Sequence, residues 1–317
     1  MDSAIRQEPR DATLLVQARQ AAYLDRVVPG HRILRVRWSG GATQVIEAGP
    51  VEAGQNEAKQ RQPLLLLHGG LGEAFQWAPL MPALAQRYRV LAVDRPGHGL
   101  ADAFDYRGTN MLAVGSRFAG EILDALSLQS AAILGNSMGG LWAAGFALEH
   151  PERVTRLILI GSPAGMQRAI PWTLRLGSVA LFSGAMKAGL TRATRDRVRA
   201  FWAERLVVHP ERLGDDFLDL CVASQLRNYP SWISLLQSAI DLGGLKSHLL
   251  LDTRWGRLQP PTTLIWGEQD RWAPAAAGQR IAAAHSRIRI VRVRDAGHAP
   301  WFDDAPAVAR AVEDALS

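Results

Sequence analysis

A serine, a carboxylate and an imidazole occur in this chain where they could share one reaction. Ser137 lies in Gly135-Asn136-Ser137-Met138-Gly139-Gly140. This G-x-S-x-G pattern follows an apolar run of strand length at 131–134 and precedes a helical pattern at 138–150, the context in which it presents a nucleophile. On so tight a turn the serine backbone is strained, and only small neighbours let strand and helix close on it. Glycines at 135 and 139 give that room. A serine hydroxyl is a poor nucleophile at neutral pH; it needs an imidazole within hydrogen-bond reach, and the imidazole needs a carboxylate to fix its tautomer and stabilise its cation. Asp270, in Trp266-Gly267-Glu268-Gln269-Asp270-Arg271, follows a late strand pattern, and His298, in Asp295-Ala296-Gly297-His298-Ala299-Pro300-Trp301, follows the last one. Both fall on the edge that carries Ser137, in the order serine, acid, histidine. Glu268 and Asp295 are rival carboxylates less well placed at the strand end, and Gly161-Ser162-Pro163, another strand end, offers no acid. A turn role for Asp270 and a helix-approach role for His298 stay open at this level.

The oxyanion formed on attack needs donors. The turn at Ser137 opens a helix whose first N–H groups are unpaired and lie at its positive end, so the Met138 amide is the first donor. The second is sought in His68-Gly69-Gly70-Leu71-Gly72, whose glycines let the backbone approach a substrate. Gly70 is the choice and Leu71 the fallback. His68 and His98 lack metal-site spacing and read as residues that bond loop backbone. Gly97-His98-Gly99 lacks the third glycine of a dinucleotide fingerprint, and no G-x-x-x-x-G-K-[ST] occurs. No cofactor and no metal are expected. Cys221, the only cysteine, reads as a small apolar residue and cannot form an intrachain disulfide, which suits a reducing compartment.

These residues need a frame. Strand-length apolar runs at 63–67, 89–94, 131–134, 154–160, 262–266 and 288–293 alternate with helical patterns at 75–87, 110–126, 138–150, 275–284 and 304–316, after a strand pair at 31–38 and 43–48 joined at Ser39-Gly40-Gly41. The expectation is an α/β fold, a mostly parallel sheet covered by helices on both faces. Residues 51–62 read as a polar loop. From 163 to 258 no strand pattern occurs; this block reads as an inserted helical cap over the sheet's carboxyl edge, where open α/β sheets bind ligands. The expected division is an N-terminal helical extension at 1–30, a core of 31–162 with 259–317, and the cap at 163–258.

With 48% hydrophobic and 21% charged residues in 317, the chain can bury a sizeable core, which excludes wholesale disorder. The formal charge of +6 raises a nucleic-acid reading. However, the densest arginine cluster, at 192, 195, 197, 199 and 205, is interleaved with Asp196 and Glu204 as on a solvated helix face, and no nucleic-acid motif accompanies it. No nucleic-acid partner is expected. The first ten residues carry acids and a proline where a signal peptide would need an apolar stretch, and Lys187 interrupts the most apolar window, 178–190. A cytoplasmic protein without a membrane span is expected. Trp172, Trp202, Trp232 and Trp255 in the cap, with Trp77 and Trp301 near the oxyanion loop and the base, serve as packing or as the lining of an apolar pocket.

Five of these motifs, His68-Gly69-Gly70, Asp94-Arg95-Pro96-Gly97-His98-Gly99, the Ser137 turn, Trp266-Gly267-Glu268-Gln269-Asp270 and Gly297-His298, resemble those of the α/β-hydrolase superfamily in kind and order, from about residue 32 to the C-terminus. The resemblance implies the α/β-hydrolase fold with an inserted cap, a triad of Ser137, Asp270 and His298, and an oxyanion hole from Gly70 and Met138. The Ser137 turn and Leu148-Glu149-His150-Pro151-Glu152-Arg153 resemble the meta-cleavage-product hydrolases, which cut carbon–carbon bonds and hold the substrate's acidic group with a cap arginine; Arg227 is the nearest candidate. Proline iminopeptidases are similar through His68-Gly69-Gly70, but carry Pro where this chain has Leu71. Haloalkane dehalogenases and epoxide hydrolases use Asp at the nucleophile position, and Ser137 departs from both. The expected function is hydrolysis of a small to medium apolar carboxylic ester through Ser137. Its rivals are carbon–carbon hydrolysis and a ligand-binding module with a vestigial triad.

Overall fold

The computed structural model describes residues 4–49, 61–179 and 183–317, with side chains described from residue 12 and not at 183. The polar stretch 51–62 therefore lies outside the described residues except at its last two positions.

Helix α1 (Ala4–Val27) opens the chain, followed by the hairpin β1 (Arg32–Trp38) and β2 (Gly41–Ala48). Strand β3 (Pro63–Leu67), helix α2 (Met81–Ala85), β4 (Arg89–Val93), α3 (Met111–Ala125), β5 (Ala131–Asn136), α4 (Met138–Glu149) and β6 (Val154–Ile160) alternate as the sequence predicts. The inserted segment carries α5 (Trp172–Ser178), α6 (Ser183–Leu190), α7 (Arg195–Arg205), α8 (Asp215–Ala239) and a hairpin of β7 (Ile240–Asp241) and β8 (Gly244–Leu245). Then come β9 (Thr262–Gly267), α9 (Ala275–Ala284), β10 (Ile288–Val293), α10 (Pro300–Asp303) and α11 (Ala305–Leu316).

The eight-stranded sheet runs β1-β2-β4-β3-β5-β6-β9-β10, with β2 antiparallel to both neighbours and every later pairing parallel. Because side chains alternate along a strand, the leucine run 64–67 feeds two cores. Leu64 and Leu66 pack on the side of α1 and α11, Leu65 and Leu67 on that of α3 and α4. All four leucines are fully buried, each contributing roughly 1.5–3 kcal/mol of transfer free energy. Adjacency of β6 and β9 makes 163–258 an insertion between neighbouring strands, and it leaves the sheet at the end where β3, β5, β6 and β9 deliver their loops.

Two expectations need correction. The helix expected at 75–87 is broken into a 3-10 turn (Ala74–Trp77) and the short α2, because Pro79 lacks an amide proton and its ring clashes with the preceding turn, while Pro82 sits in the first turn of a new helix. The inserted segment is not wholly helical, since two-residue strands are too short to leave a sequence pattern. The N-terminal helix packs on the segment. Tyr23 meets Phe217 at 5.9 Å, Arg26 pairs with Asp216, and Arg19 donates to the Asp219 carbonyl at 2.8 Å.

Candidate active site

Strand β5 ends at Asn136 and α4 starts at Met138, so Ser137 is the whole of the turn. Its φ of +52° and ψ of −114° lie where a side chain costs about 1–3 kcal/mol and survive only if the surroundings enforce them. They do. A Cβ on Gly135 would stand 2.5 Å from the Gly139 carbonyl oxygen, and one on Gly139 would fall inside the carbonyls of Leu67 and His68, so strand, turn and helix interlock on bare backbone. The Ser137 carbonyl accepts from Leu141 at 3.0 Å and from Ala164 at 2.9 Å, which ties the turn to the start of the inserted segment.

Asp270, beyond the end of β9, is buried and points at His298, which follows β10. His298 Nδ1 lies 2.9 Å from Asp270 Oδ2. The Ser162 amide donates to that same oxygen at 2.8 Å and the Trp272 amide to Oδ1 at 2.8 Å. Burial alone would raise the Asp270 carboxyl. The charge and hydrogen bond of His298, with the two amides, outweigh burial and hold the carboxyl below the usual carboxylate range. The rival carboxylates are engaged elsewhere: Glu268 faces Arg292 at 3.6 Å, and Asp295 accepts from half-buried His209 at 2.7 Å and Gln269 at 3.1 Å. Arg271 donates to the carbonyls of Ala203 and Glu204, not to Asp270.

The histidine loop is fastened from three sides. Asn136 Nδ2 donates to the His298 carbonyl at 3.2 Å, the Ala299 amide to the Leu206 carbonyl at 2.8 Å, and the Gly297 amide to buried Asp303 at 2.8 Å. Asp303 also takes the amides of Val208 and His209, both at 2.9 Å, latching the loop to the inserted segment. Ser162 and Asp303 escape sequence reading; only Ser162 left a signal, its place at the end of a strand.

Opposite the Ser137 turn, Gly69 and Gly70 meet Arg95. This guanidinium is fully buried, and among the described residues no carboxylate pairs with it. Its Nη2 donates to the carbonyls of Gly69 at 2.5 Å and Gly70 at 3.0 Å, and it lies 4.9 Å over the Trp142 ring. Burial brings its pKa down to about 10, so it stays cationic at neutral pH. In a trans peptide the N–H points opposite the carbonyl. Holding these carbonyls toward Arg95 turns the amides of Gly70 and Leu71 away from it, and neither amide has an acceptor among the described residues. A Cβ on Gly70 would touch the Met138 Cβ at 3.9 Å, so Gly70 stands against the Ser137 turn. His68 and His98 bond loop backbone, as expected. His68 Nε2 accepts from the Arg95 amide at 2.8 Å, and His98 Nε2 lies 2.8 Å from the Gly70 carbonyl. Burial and the Arg95 cation hold His98 at about 3, neutral.

Ser137, Met138, Gly70 and His298 line one cavity of about 180 Å³, faced by Met166, Ile170, Leu174, Phe201 and Trp202 of the inserted segment. Ser137 Oγ forms no hydrogen bond among the described residues; Ser137 and His298 share the cavity wall. Among the described residues no Asp, Glu, Lys or Arg lines it. Arg227 lies outside it and donates to the carbonyls of Gly99 at 2.6 Å and Ala101 at 3.3 Å and to Thr13 Oγ1 at 3.0 Å. Of the six tryptophans singled out, Trp202 and Trp301 line this cavity, Trp77, Trp232 and Trp255 are buried outside it, and Trp172 is 69% exposed. Trp272, 5.8 Å from the His298 ring, lines it unforeseen. Among the described residues no helix is long and apolar enough to cross a membrane, and no group of three or more His, Cys, Asp or Glu could hold a metal ion.

Residues 62–305 match the model of the alpha/beta hydrolase fold family. Among sequence relatives, a 2-hydroxy-6-oxononadienedioate/2-hydroxy-6-oxononatrienedioate hydrolase of Cupriavidus pinatubonensis is 29% identical over 259 residues, 80% of this chain and 86% of the relative. A 2-hydroxy-6-oxo-6-phenylhexa-2,4-dienoate hydrolase of Burkholderia cepacia is 27% identical over 269 residues, 83% and 90% of the two chains. Among solved structures, the naproxen esterase of Bacillus subtilis superposes with a TM-score of 0.73 at 20% identity, covering 97% of this chain and 99% of that one. Carboxylesterase CesB of the same organism gives 0.72 at 22%, covering 96% and 98%. At these identities the structural likenesses speak for the fold.

Proposed function

The chain belongs to the α/β-hydrolase fold family, and from that premise we propose that it is a serine hydrolase of uncharged, apolar carboxylic esters, with residues 163–258 as its cap. The reading rests on one observation: His298, paired with buried Asp270, lines with Ser137 a cavity that no charged side chain lines among the described residues. In the reaction His298 Nε2 takes the Ser137 proton as Oγ bonds to the ester carbonyl carbon. The amides of Met138 and Gly70 hold the oxyanion, and Asp270 holds the imidazolium. Collapse breaks the bond to the alkoxide, which leaves with the proton from His298. Water, deprotonated by the same imidazole, then releases the acid from the acyl-enzyme.

Arg95 fits this as a positioning residue, since its cation fixes the two peptides whose amides face away from it.

A second reading, carbon–carbon hydrolysis of a vinylogous dienone acid, is favoured by the names of the sequence relatives. Such a substrate carries an anionic carboxylate, for which this cavity offers no arginine or lysine among the described residues, and burying an unpaired charge is costly. The test is parallel assay of p-nitrophenyl esters and of a coloured dienone acid, with fluorophosphonate labelling. Ester turnover lost in Ser137→Ala supports the proposal. Dienone bleaching without ester turnover transfers the role to the second reading, and failure of both assays with no labelling leaves a binding module.

A further inference from the structure

The two most exposed large apolar side chains among the described residues lie on neighbouring elements of the inserted segment. Trp172 of α5 is 69% exposed, and Leu242, on the turn between β7 and β8, is 63% exposed. Helix α5 packs against β7, whose last residue precedes Leu242. Leu176, also exposed, stands four residues after Trp172 and so one turn along the same face of α5. Single exposed apolar side chains are ordinary, but a group of them marks a surface that meets something, and the proposed reaction uses none of these three. Ile170 and Leu174 of the same stretch turn the other way and line the cavity at Ser137. Going beyond the reading of that cavity, we infer that the outer face of α5 and the β7–β8 turn docks the chain on a surface of anionic lipid.

Charge selects the partner. From 163 to 194 the sequence holds Arg168, Arg175, Lys187 and Arg192 and no Asp or Glu. Arg175 follows Trp172 by three residues on α5, and its Nε donates to the Ile170 carbonyl at 2.6 Å. Exposed Arg168 reaches the turn that carries Leu242: its Nε donates to the Gly243 carbonyl at 3.2 Å and its Nη2 stands 3.8 Å from Asp241, the one acid on α5, α6 or the hairpin. A second copy related by a two-fold axis would set this cationic face against itself. A bilayer with anionic headgroups answers both halves of the surface: phosphate takes the guanidinium groups, the edge of the acyl layer takes Leu176 and Leu242, and the Trp172 indole suits the level between them. On the esterase reading, docking sets the outer side of the cavity wall against the phase in which apolar esters collect; the docking itself stands without that reading.

The test is flotation of the full chain with vesicles of phosphatidylcholine alone and of phosphatidylcholine with about a third phosphatidylglycerol, at low and at high salt. The expected result is binding to the anionic vesicles at least about ten-fold tighter than to the neutral ones, weakened by salt. Trp172→Ala and Leu242→Ser should each weaken it about ten-fold, and Arg168→Gln several-fold with a shallower salt dependence. Melting curves check folding, and because the three changes fall on two elements, loss of one variant leaves the others to decide. No flotation with either vesicle, equal binding to both, or anionic binding undiminished in Trp172→Ala and Leu242→Ser overturns the docking surface. So does a dimer, seen by sedimentation, that Trp172→Ala dissolves, since the face then belongs to a second copy. Flotation does not depend on turnover, so p-nitrophenyl ester hydrolysis measured separately shows whether the esterase reading stands or fails on its own.

Discussion

The carboxyl edge of the sheet and the segment inserted between β6 and β9 face each other across one cavity, and they are held by different means. At the edge, position is fixed by backbone against backbone: Gly139 against the carbonyls of Leu67 and His68, Ser137 in a strained turn, Gly69 and Gly70 hung on Arg95. The segment reaches the cavity with apolar side chains and is anchored by side chains at a distance from it, Arg227 on Gly99 and Ala101 and Asp303 on Val208 and His209. On the proposed function, chemistry that fails with small misplacement sits on the first kind of support. On the same proposal selectivity, which tolerates change in side-chain shape, sits on the second.

The contrast can be broken by mutation, and the largest effect should be at the edge. Ser137→Ala is expected to lower kcat on a p-nitrophenyl ester by about a million-fold, as for other triad knockouts; steady-state kinetics showing less than a ten-fold loss would take the chemistry off the edge. Arg95→Met should lower kcat about a hundred-fold with KM little changed, the size of a lost oxyanion donor, and Arg95→Lys should recover part of it. Its Nε and Nη1 are buried without partners among the described residues, so its replacement should move Tm by only a few degrees. A loss of folding instead would make Arg95 a structural residue.

Glycines sharpen the comparison within the edge itself. Gly139→Ala must displace backbone and is expected to cost at least about 3 kcal/mol in denaturant unfolding, whereas Gly70→Ala meets only ordinary contact and should stay within about 1 kcal/mol of wild type. On the segment's side, Arg227→Met removes the tether to Gly99 and Ala101; a stability loss of about 2 kcal/mol with kcat within two-fold is expected. A large kcat loss there would bring Arg227 into the reaction.

The smallest effect is a pH dependence. The Glu73 carboxyl is raised to about 8 in the folded chain, so its contribution to stability is full below the unfolded value near 4.5 and is lost as pH rises through about 8. Glu73→Gln lacks that loss. Its Tm relative to wild type should therefore climb between pH 5 and 9, and a difference that stays flat would mean the carboxyl is not held neutral by burial.

What the sequence discloses follows the same division. The continuous apolar runs at 64–67 and 90–93 announce buried parallel strands, and the glycines around Ser137 announce the turn, because period and residue type are local properties. The break at Pro79 was also local and was outweighed by the apolar spacing around it. Ser162, Asp303 and Arg95 act by hydrogen bonds between a side chain and backbone that folding alone brings near: Ser162 and Asp270 are 108 positions apart, Asp303 and His209 are 94. No periodicity carries such a bond. The distinction between an Arg227 that holds substrate and one that holds backbone is likewise a matter of direction, which residue identity does not contain.

The most direct test is fluorophosphonate treatment of the whole chain followed by peptide mass mapping, in the wild type and in His298→Ala. The expected result is one adduct, on the peptide that holds Ser137, forming at least about a thousand-fold more slowly without the imidazole. An adduct on another residue, or equal labelling rates in the two proteins, would contradict an activated serine at that turn.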